Sequence, residues 1–99
     1  NSLSIFLGPP IIIKFEGQPK VTLGQTVEVK CIATGNPLPK VQMKFNDQLA
    51  QDVNGVKVIS SESERTIQFK AEINSTVHCE ATNEVGRDKR KMKIAVDRK

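Results

Sequence analysis

The best candidates for nucleophilic or metal chemistry are two cysteines and the single histidine of this 99-residue chain. Cys31 and Cys79 are far apart in sequence, and His78 directly precedes Cys79. A cysteine–histidine nucleophile needs the imidazole within hydrogen-bond reach of the thiol, and a zinc site needs closely spaced ligand pairs such as Cys-x-x-Cys. Strand alternation points His78 away from Cys79, and no such pair occurs. We therefore predict no catalytic residue, metal or cofactor. The cysteines form either a single disulfide or two buried thiols.

One tripeptide matches the acceptor pattern for N-linked glycosylation, namely Asn74-Ser75-Thr76. It lies in a predicted turn, where a glycan can be accommodated at the surface. The plain structural alternative is that asparagine and serine occupy this turn because they form turns well. We predict Asn74 as a candidate glycosylation site.

The run "RDKRKMK" holds five cations, which are Arg87, Lys89, Arg90, Lys91 and Lys93. On a strand, alternation places the three lysines in one outward row and directs Arg90 towards the sheet edge. Such a row attracts an acidic protein surface or a sulfated polysaccharide. The structural alternative is that lysines near a sheet edge prevent edge-to-edge pairing. Nucleic acid is not predicted as a partner, because no aromatic residue accompanies the cations to stack on a base.

The elements that position these residues are short strands, because apolar residues alternate with polar ones and turn residues recur roughly every 8 to 12 positions. In "TVEVKCIA" and "TVHCEAT" each cysteine lies in the inward register of its strand. The segment "TGNPLPK" (Thr34 to Lys40) is not expected to continue the first of these strands, because its two prolines lack amide donors and Gly-Asn favours a turn. The segment "NDQ" is expected to form a turn. Further strands are predicted in "PPIIIKF", "KVTLG", "VQMKF", "VKVISS", "RTIQFKAEI" and "KMKIAV".

About seven short strands without a helical pattern leave a two-sheet sandwich or a small barrel. A bond between the cysteines would cross the core and join two facing sheets. The length allows one domain, for which we predict residues 9–97. Residues 1–8 are expected to be a linker or the end of a preceding domain, and 98–99 the start of the next linker. No apolar run approaches the roughly 20 residues of a membrane span, so no direct membrane contact is predicted.

Two motifs, "GQTVEVKCIATGNPLPKV" and "CEATNEVG", resemble those of the immunoglobulin superfamily, and within it the intermediate (I-set) type. The resemblance runs from about Pro9 to Val96. It implies an all-β, two-sheet antiparallel sandwich with an inter-sheet disulfide between Cys31 and Cys79. It also implies that Asn83 and Gly86 tolerate the backbone conformations that turn one strand into the next.

Three departures from the family pattern are visible in the sequence. Met43 stands where the family usually has a core tryptophan, and Val77 stands where a tyrosine usually precedes the second cysteine. The segment "EINSTVHC" joins two strands in fewer residues than usual. Methionine fills space without fixing geometry. The disulfide is therefore expected to carry a larger share of the stability here than in a typical member.

The resemblance implies a non-catalytic protein-interaction or spacer module of an extracellular receptor or cell-adhesion protein. Its partners would be a cell-surface receptor or ligand, or neighbouring immunoglobulin-like domains. One alternative keeps the fold and places it in a cytoplasmic muscle or cytoskeletal protein with reduced cysteines. The other is a domain that binds heparan sulfate through the basic run from Arg87 to Lys93.

Overall fold

A computed structural model describes residues 7–98, which form two β-sheets packed face to face. The four-stranded sheet has the order β1-β3-β7-β6, and the five-stranded sheet has the order β2-β9-β8-β4-β5. Of the predicted linker at residues 1–8, all but Leu7 and Gly8 lies outside the described residues. The strands are Gly8–Glu16 (β1), Lys20–Thr22 (β2), Thr26–Asn36 (β3), Lys40–Phe45 (β4), Gln48–Leu49 (β5), Lys57–Ser61 (β6), Glu64–Lys70 (β7), Ser75–Thr82 (β8) and Arg87–Asp97 (β9).

The core consists of the inward-facing residues of both sheets, and the alternation in the sequence predicts most of them. Strand β3 has the burial pattern of a strand with one face in the core, and β8 repeats it. Burying these apolar side chains supplies the main driving force for folding. The predicted inward residues that are buried are Val27, Val29, Cys31, Ala33, Val41, Met43, Ile67, Phe69, Val77, Cys79, Ala81 and Ile94.

A disulfide joins Cys31 of β3 to Cys79 of β8, with the two Cα atoms 6.5 Å apart. The two strands belong to different sheets, so the bond crosses the core as the resemblance implies. Both cysteines are fully buried. Met43 lies beside Cys79 in the register of β4 and β8 and is itself buried, so a flexible side chain occupies the centre of the sandwich.

The first strand region is split between the two sheets. β1 pairs with β3, whereas β2 runs parallel to the end of β9 in the other sheet. The chain crosses between the sheets at Gly17-Gln18-Pro19, which separates the predicted strands "PPIIIKF" and "KVTLG". A Cβ atom on Gly17 would lie 2.9 Å from Cγ2 of Val29 and 3.0 Å from Sδ of Met92. The close approach of the backbone to the core therefore favours glycine at the crossing.

The prediction that "TGNPLPK" ends its strand at once is wrong for its first residues. β3 continues to Asn36, because β1 lies alongside and pairs Ile11 with Thr34 and Gly8 with Asn36. Only from Pro37 onward are amide donors missing. The Asn36–Pro37 peptide bond is cis. β3 is therefore longer than its local sequence predicts, because β1 is available to pair with its last residues.

The predicted turn at "NDQ" is confirmed. Asn46 and Asp47 connect β4 to β5 with φ values of 51° and 71°, and the left-handed region suits asparagine and aspartate better than most residues. The Oδ1 atom of Asn46 also accepts the backbone N–H of Thr76 at 2.9 Å, which ties the turn to β8.

The turn between β8 and β9 lies at Asn83 to Gly86, as the resemblance implies, although neither residue is among the described residues with positive φ. Asn83 acts through its side chain. Its Nδ2 donates to the carbonyls of Gly8 and Pro37, both at 2.9 Å. Its Oδ1 accepts the N–H groups of Val85 at 2.9 Å and Gly86 at 3.1 Å. The asparagine side chain thus stabilises the turn between β8 and β9, together with the backbone N–H of Asn83, which donates to the carbonyl of Gly86 at 3.0 Å.

Candidate interaction surface

The residues first considered for chemistry do not assemble a reactive site. The sulfur of Cys79 is bonded to Cys31 in the core, so it offers no thiolate. His78 lies on the outer face of β8 and is half-buried. Within residues 7–98, no three histidine, cysteine or acidic side chains group in a way that could hold a metal ion.

Asn74 is exposed in the short connection between β7 and β8. Its Oδ1 accepts the backbone N–H of Val96 at 2.8 Å. This bond uses the amide oxygen, whereas an N-linked glycan is carried by the amide nitrogen. The neighbouring Ser75 is buried, and its hydroxyl donates to the carbonyl of Ile73 at 3.0 Å. The position at the surface thus agrees with both the glycosylation and the turn-forming interpretation.

The predicted row of lysines is present on β9. Lys89, Lys91 and Lys93 are exposed, and they project from the outer face of the five-stranded sheet. Arg90 points to the other side, towards β1, where it lies 3.9 Å from the carboxylate of Asp88. That carboxylate also accepts the backbone N–H of Ile12 at 2.8 Å. Arg90 therefore belongs to the seam between the two sheets and not to the lysine row.

The register of the sheet adds side chains from two other strands to this row. Gln42, Glu80 and Lys89 form one line across β4, β8 and β9, and the next line is Lys44, His78 and Lys91. We call the outward surface of these three strands the basic face. Its charged or amide-bearing members are Lys40, Gln42, Lys44, His78, Glu80, Arg87, Lys89, Lys91 and Lys93.

Sequence reasoning did not find the contribution of β4 to this face. Lys40 and Lys44 lie about 50 positions before the basic run, and nothing local connects the two segments. The alternation of "KVQMKF" does indicate that both lysine side chains point outward. Pairing this strand with the one that carries Cys79 would have placed Lys44 beside His78 and Lys40 beside Thr82.

Most of the positive charge on the basic face is uncompensated. Within the described part of the chain, its one ion pair joins Arg87 to Glu80 at 3.3 Å, and its lysines take part in none. On the four-stranded sheet, two of the four described lysines are paired, namely Lys14 with Glu16 at 3.7 Å and Lys30 with Glu64 at 3.3 Å. The two outer surfaces of the sandwich therefore differ in charge, and anions are attracted to one of them.

The basic face has a depression of about 130 Å³ near its centre. The Nδ1 atom of His78 is buried beside it without a hydrogen-bond partner. The depression is lined by Gln42, Lys44, Asp47, His78, Cys79, Glu80, Lys89 and Arg90. Its lining combines cationic, amide and imidazole groups, which can bind a carboxylate, with the two acidic groups of Asp47 and Glu80.

The structure also agrees with the alternative interpretation, in which the lysines prevent edge-to-edge pairing. β2 pairs with β9 only from Ala95 to Asp97, so the basic part of β9 lies at an edge of the five-stranded sheet. Lysines at such an edge discourage pairing with another strand. Binding and protection against aggregation are compatible roles for the same residues.

Comparison with known proteins identifies the fold family. The family model described as immunoglobulin domain matches residues 9–83. The chain is an immunoglobulin domain. It is also similar to Hemicentin-2 of Mus musculus, with 32% identity over 92 residues, which cover 89% of this chain and 2% of that protein. The domain thus spans a very small part of the length of this relative.

Solved structures show the same fold. An immunoglobulin complex of titin and obscurin-like 1 superposes with a TM-score of 0.78 at 20% identity, covering 95% of this chain and 98% of that chain. The N-terminal Ig1-2 module of the Drosophila receptor protein tyrosine phosphatase DLAR gives 0.78 at 18% identity, covering 92% and 50%. For residues 7–98 of this immunoglobulin domain, no helix is long and apolar enough to cross a membrane.

Proposed function

We propose that this immunoglobulin domain is a non-catalytic protein-interaction or spacer module, of the I-set type, in an extracellular receptor or cell-adhesion protein. The observation that carries the proposal is the buried Cys31–Cys79 disulfide. Such bonds persist in oxidising compartments and are rare in the cytosol. The exposed acceptor Asn74 supports the same compartment, and the domain needs no cofactor for this role.

The proposed interaction surface is the G-strand side of the sandwich, which is the β9 part of the basic face. Among the structural neighbours, one is a module of a receptor and another is a titin domain in complex with an immunoglobulin domain of obscurin-like 1. The complex supports a role in protein contacts, and the receptor module supports a place in a receptor. A receptor or ligand on a cell surface, or a neighbouring immunoglobulin domain, would be the partner.

The compartment is tested by the intact mass of the natural protein under non-reducing conditions. We expect the fragment that carries this domain to lack two hydrogen atoms relative to the free thiols and to carry a glycan. Glycan should disappear in an Asn74→Gln variant expressed through the same secretory route. Two free thiols and a bare Asn74 in the natural protein would instead support the cytoplasmic muscle or cytoskeletal alternative.

The second candidate function is binding of heparan sulfate, which is favoured by the five cations between Arg87 and Lys93. A fluorescent tetramer of the domain, in which multivalency raises weak affinity, is applied to cells treated with protease or with heparinase. A protein partner predicts binding that survives heparinase and is lost after protease. Loss of binding after heparinase would assign the polysaccharide instead.

A further inference from the structure

We propose that the basic face binds an extended acidic segment of the protein partner, with one carboxylate seated in the depression beside His78. The inference rests on the proposed function, because it specifies the chemistry of the protein partner. It also shifts the binding site from β9 alone to the surface of β4, β8 and β9 together.

The spacing of the cations suits an extended chain. Lys89, Lys91 and Lys93 alternate along β9, so their Cα atoms repeat every ~6.8 Å, which is also the repeat of alternate side chains in an extended peptide. Lys40 and Lys44 form a second row on β4, two strand spacings or ~10 Å away. A peptide that runs along β8 lies between both rows.

The charge distribution favours a peptide over a sulfated polysaccharide. Glu80 lies in the middle strand of the basic face, and its side chain remains 29% exposed while it pairs with Arg87. A ligand with anionic groups along its whole length would place negative charge against this carboxylate. A peptide can alternate acidic residues with hydrogen-bond donors, and so avoids the like charge.

The depression gives the face a specific position for one carboxylate. Lys44 and Lys91 flank His78 in the register of the sheet, and Lys89 lines the same depression. The acidic groups that face it are Asp47 and Glu80. The Nδ1 atom of His78 lies beside this position without a hydrogen-bond partner, so the imidazole can donate a hydrogen bond to the bound carboxylate.

The probe is a short synthetic peptide that alternates glutamate and threonine, and fluorescence anisotropy measures its affinity for the domain. The triple variant Lys89→Ser, Lys91→Ser, Lys93→Ser should bind about tenfold or more weakly. The matched control is the triple variant Lys14→Ser, Lys57→Ser, Lys70→Ser, which removes equal charge from the four-stranded sheet and should lose less than about threefold. Equal losses in both variants would overturn the proposal, since only net charge would then matter. Circular dichroism verifies that both variants fold.

The role of His78 is tested separately. His78→Ala should bind the peptide about threefold or more weakly than the unmodified domain, because it removes the hydrogen bond from the imidazole to the carboxylate. Thr76→Ala, an outward change on the same strand, is the control and should leave the affinity nearly unchanged. Equal affinities of the two variants would remove the carboxylate from the depression and overturn that part of the proposal.

Failure of this inference can be distinguished from failure of the proposed function. If the peptide does not bind but the tetramer still binds cells in a protease-sensitive and heparinase-resistant way, the acidic segment is wrong and the interaction module stands. If the peptide binds through the three lysines but no cell-surface protein is found, the face is confirmed and the proposed function fails. Tighter, lysine-dependent binding of a heparin fragment than of the peptide would replace the peptide with a polysaccharide.

Discussion

At the scale of single residues, Asn83 links three segments that are distant in sequence. Its amide donates to carbonyls at the start of β1 and in the loop after β3, and its oxygen accepts two N–H groups of the following turn. All four bonds come from one half-buried side chain. Removing it would leave backbone groups in three segments without their partner, which is costly when water reaches them poorly.

We therefore expect Asn83→Ala to lower the free energy of unfolding by about 1–3 kcal/mol. Asn83→Asp should be destabilised to a similar degree, because it keeps the acceptor for Val85 and Gly86 but faces the carbonyls of Gly8 and Pro37 with a carboxylate. Urea unfolding followed by circular dichroism measures both variants. Glu84→Ala, an exposed change in the same turn, is the control. Full stability of Asn83→Asp would mean that the bonds to Gly8 and Pro37 contribute nothing.

At the scale of elements, the chain changes sheets between β1 and β2, and this crossing sets the edges of the sandwich. β1 completes the four-stranded sheet, while β2 covers only the last residues of β9. The remainder of β9 is left at an edge, with its lysines outward. The crossing at Gly17 therefore determines how much of β9 stays open beside the basic face.

The crossing has little space, so we expect Gly17→Ala to lower the free energy of unfolding by about 1–2 kcal/mol. The new methyl group would press on Val29, which is fully buried, and on Met92, whose flexible side chain can partly yield. Thermal and urea unfolding provide the measurement. The matched control is Gly8→Ala, where a Cβ atom meets nothing within 4 Å and φ is not positive, so stability should be unchanged or slightly higher. Equal behaviour of the two variants would contradict the steric argument.

At the scale of the whole molecule, one covalent bond holds the two sheets together in a core that contains few large side chains. Met43 and Val77 occupy the positions where the family usually has tryptophan and tyrosine. Both are buried: Met43 pairs with Cys79 in the register of β4 and β8, and Val77 lies on β8 itself. The bond closes one loop between cysteines that are 48 positions apart, and its loss would raise the conformational entropy of the unfolded chain. It would also loosen the packing around Met43.

Replacing both cysteines, Cys31→Ala with Cys79→Ala, should lower the free energy of unfolding by about 2–5 kcal/mol. That is a large part of the roughly 5–15 kcal/mol expected for the total. Urea midpoints of the oxidised domain and the double variant give the difference. If the double variant does not fold, the unmodified domain unfolded with and without reductant provides the same comparison. A loss below about 1 kcal/mol would show that packing alone holds the sheets.

Most strands and their inward faces are predictable from the sequence, and the family resemblance implies the pairing of the cysteines. These features depend on alternation with a period of two and on two family motifs, and both can be read within a few neighbouring residues. The outward lysine row on β9 was predictable for the same reason.

Only the tertiary structure decided which strands lie side by side, and the basic face depends on that choice. Lys44, His78 and Lys91 come from three strands that are brought into one line by register, and register between distant segments is not encoded in any local pattern. The extension of β3 to Asn36 and the bonds of Asn83 have the same origin. Each requires a partner elsewhere in the chain, and that partner is in reach only after the sheets have formed.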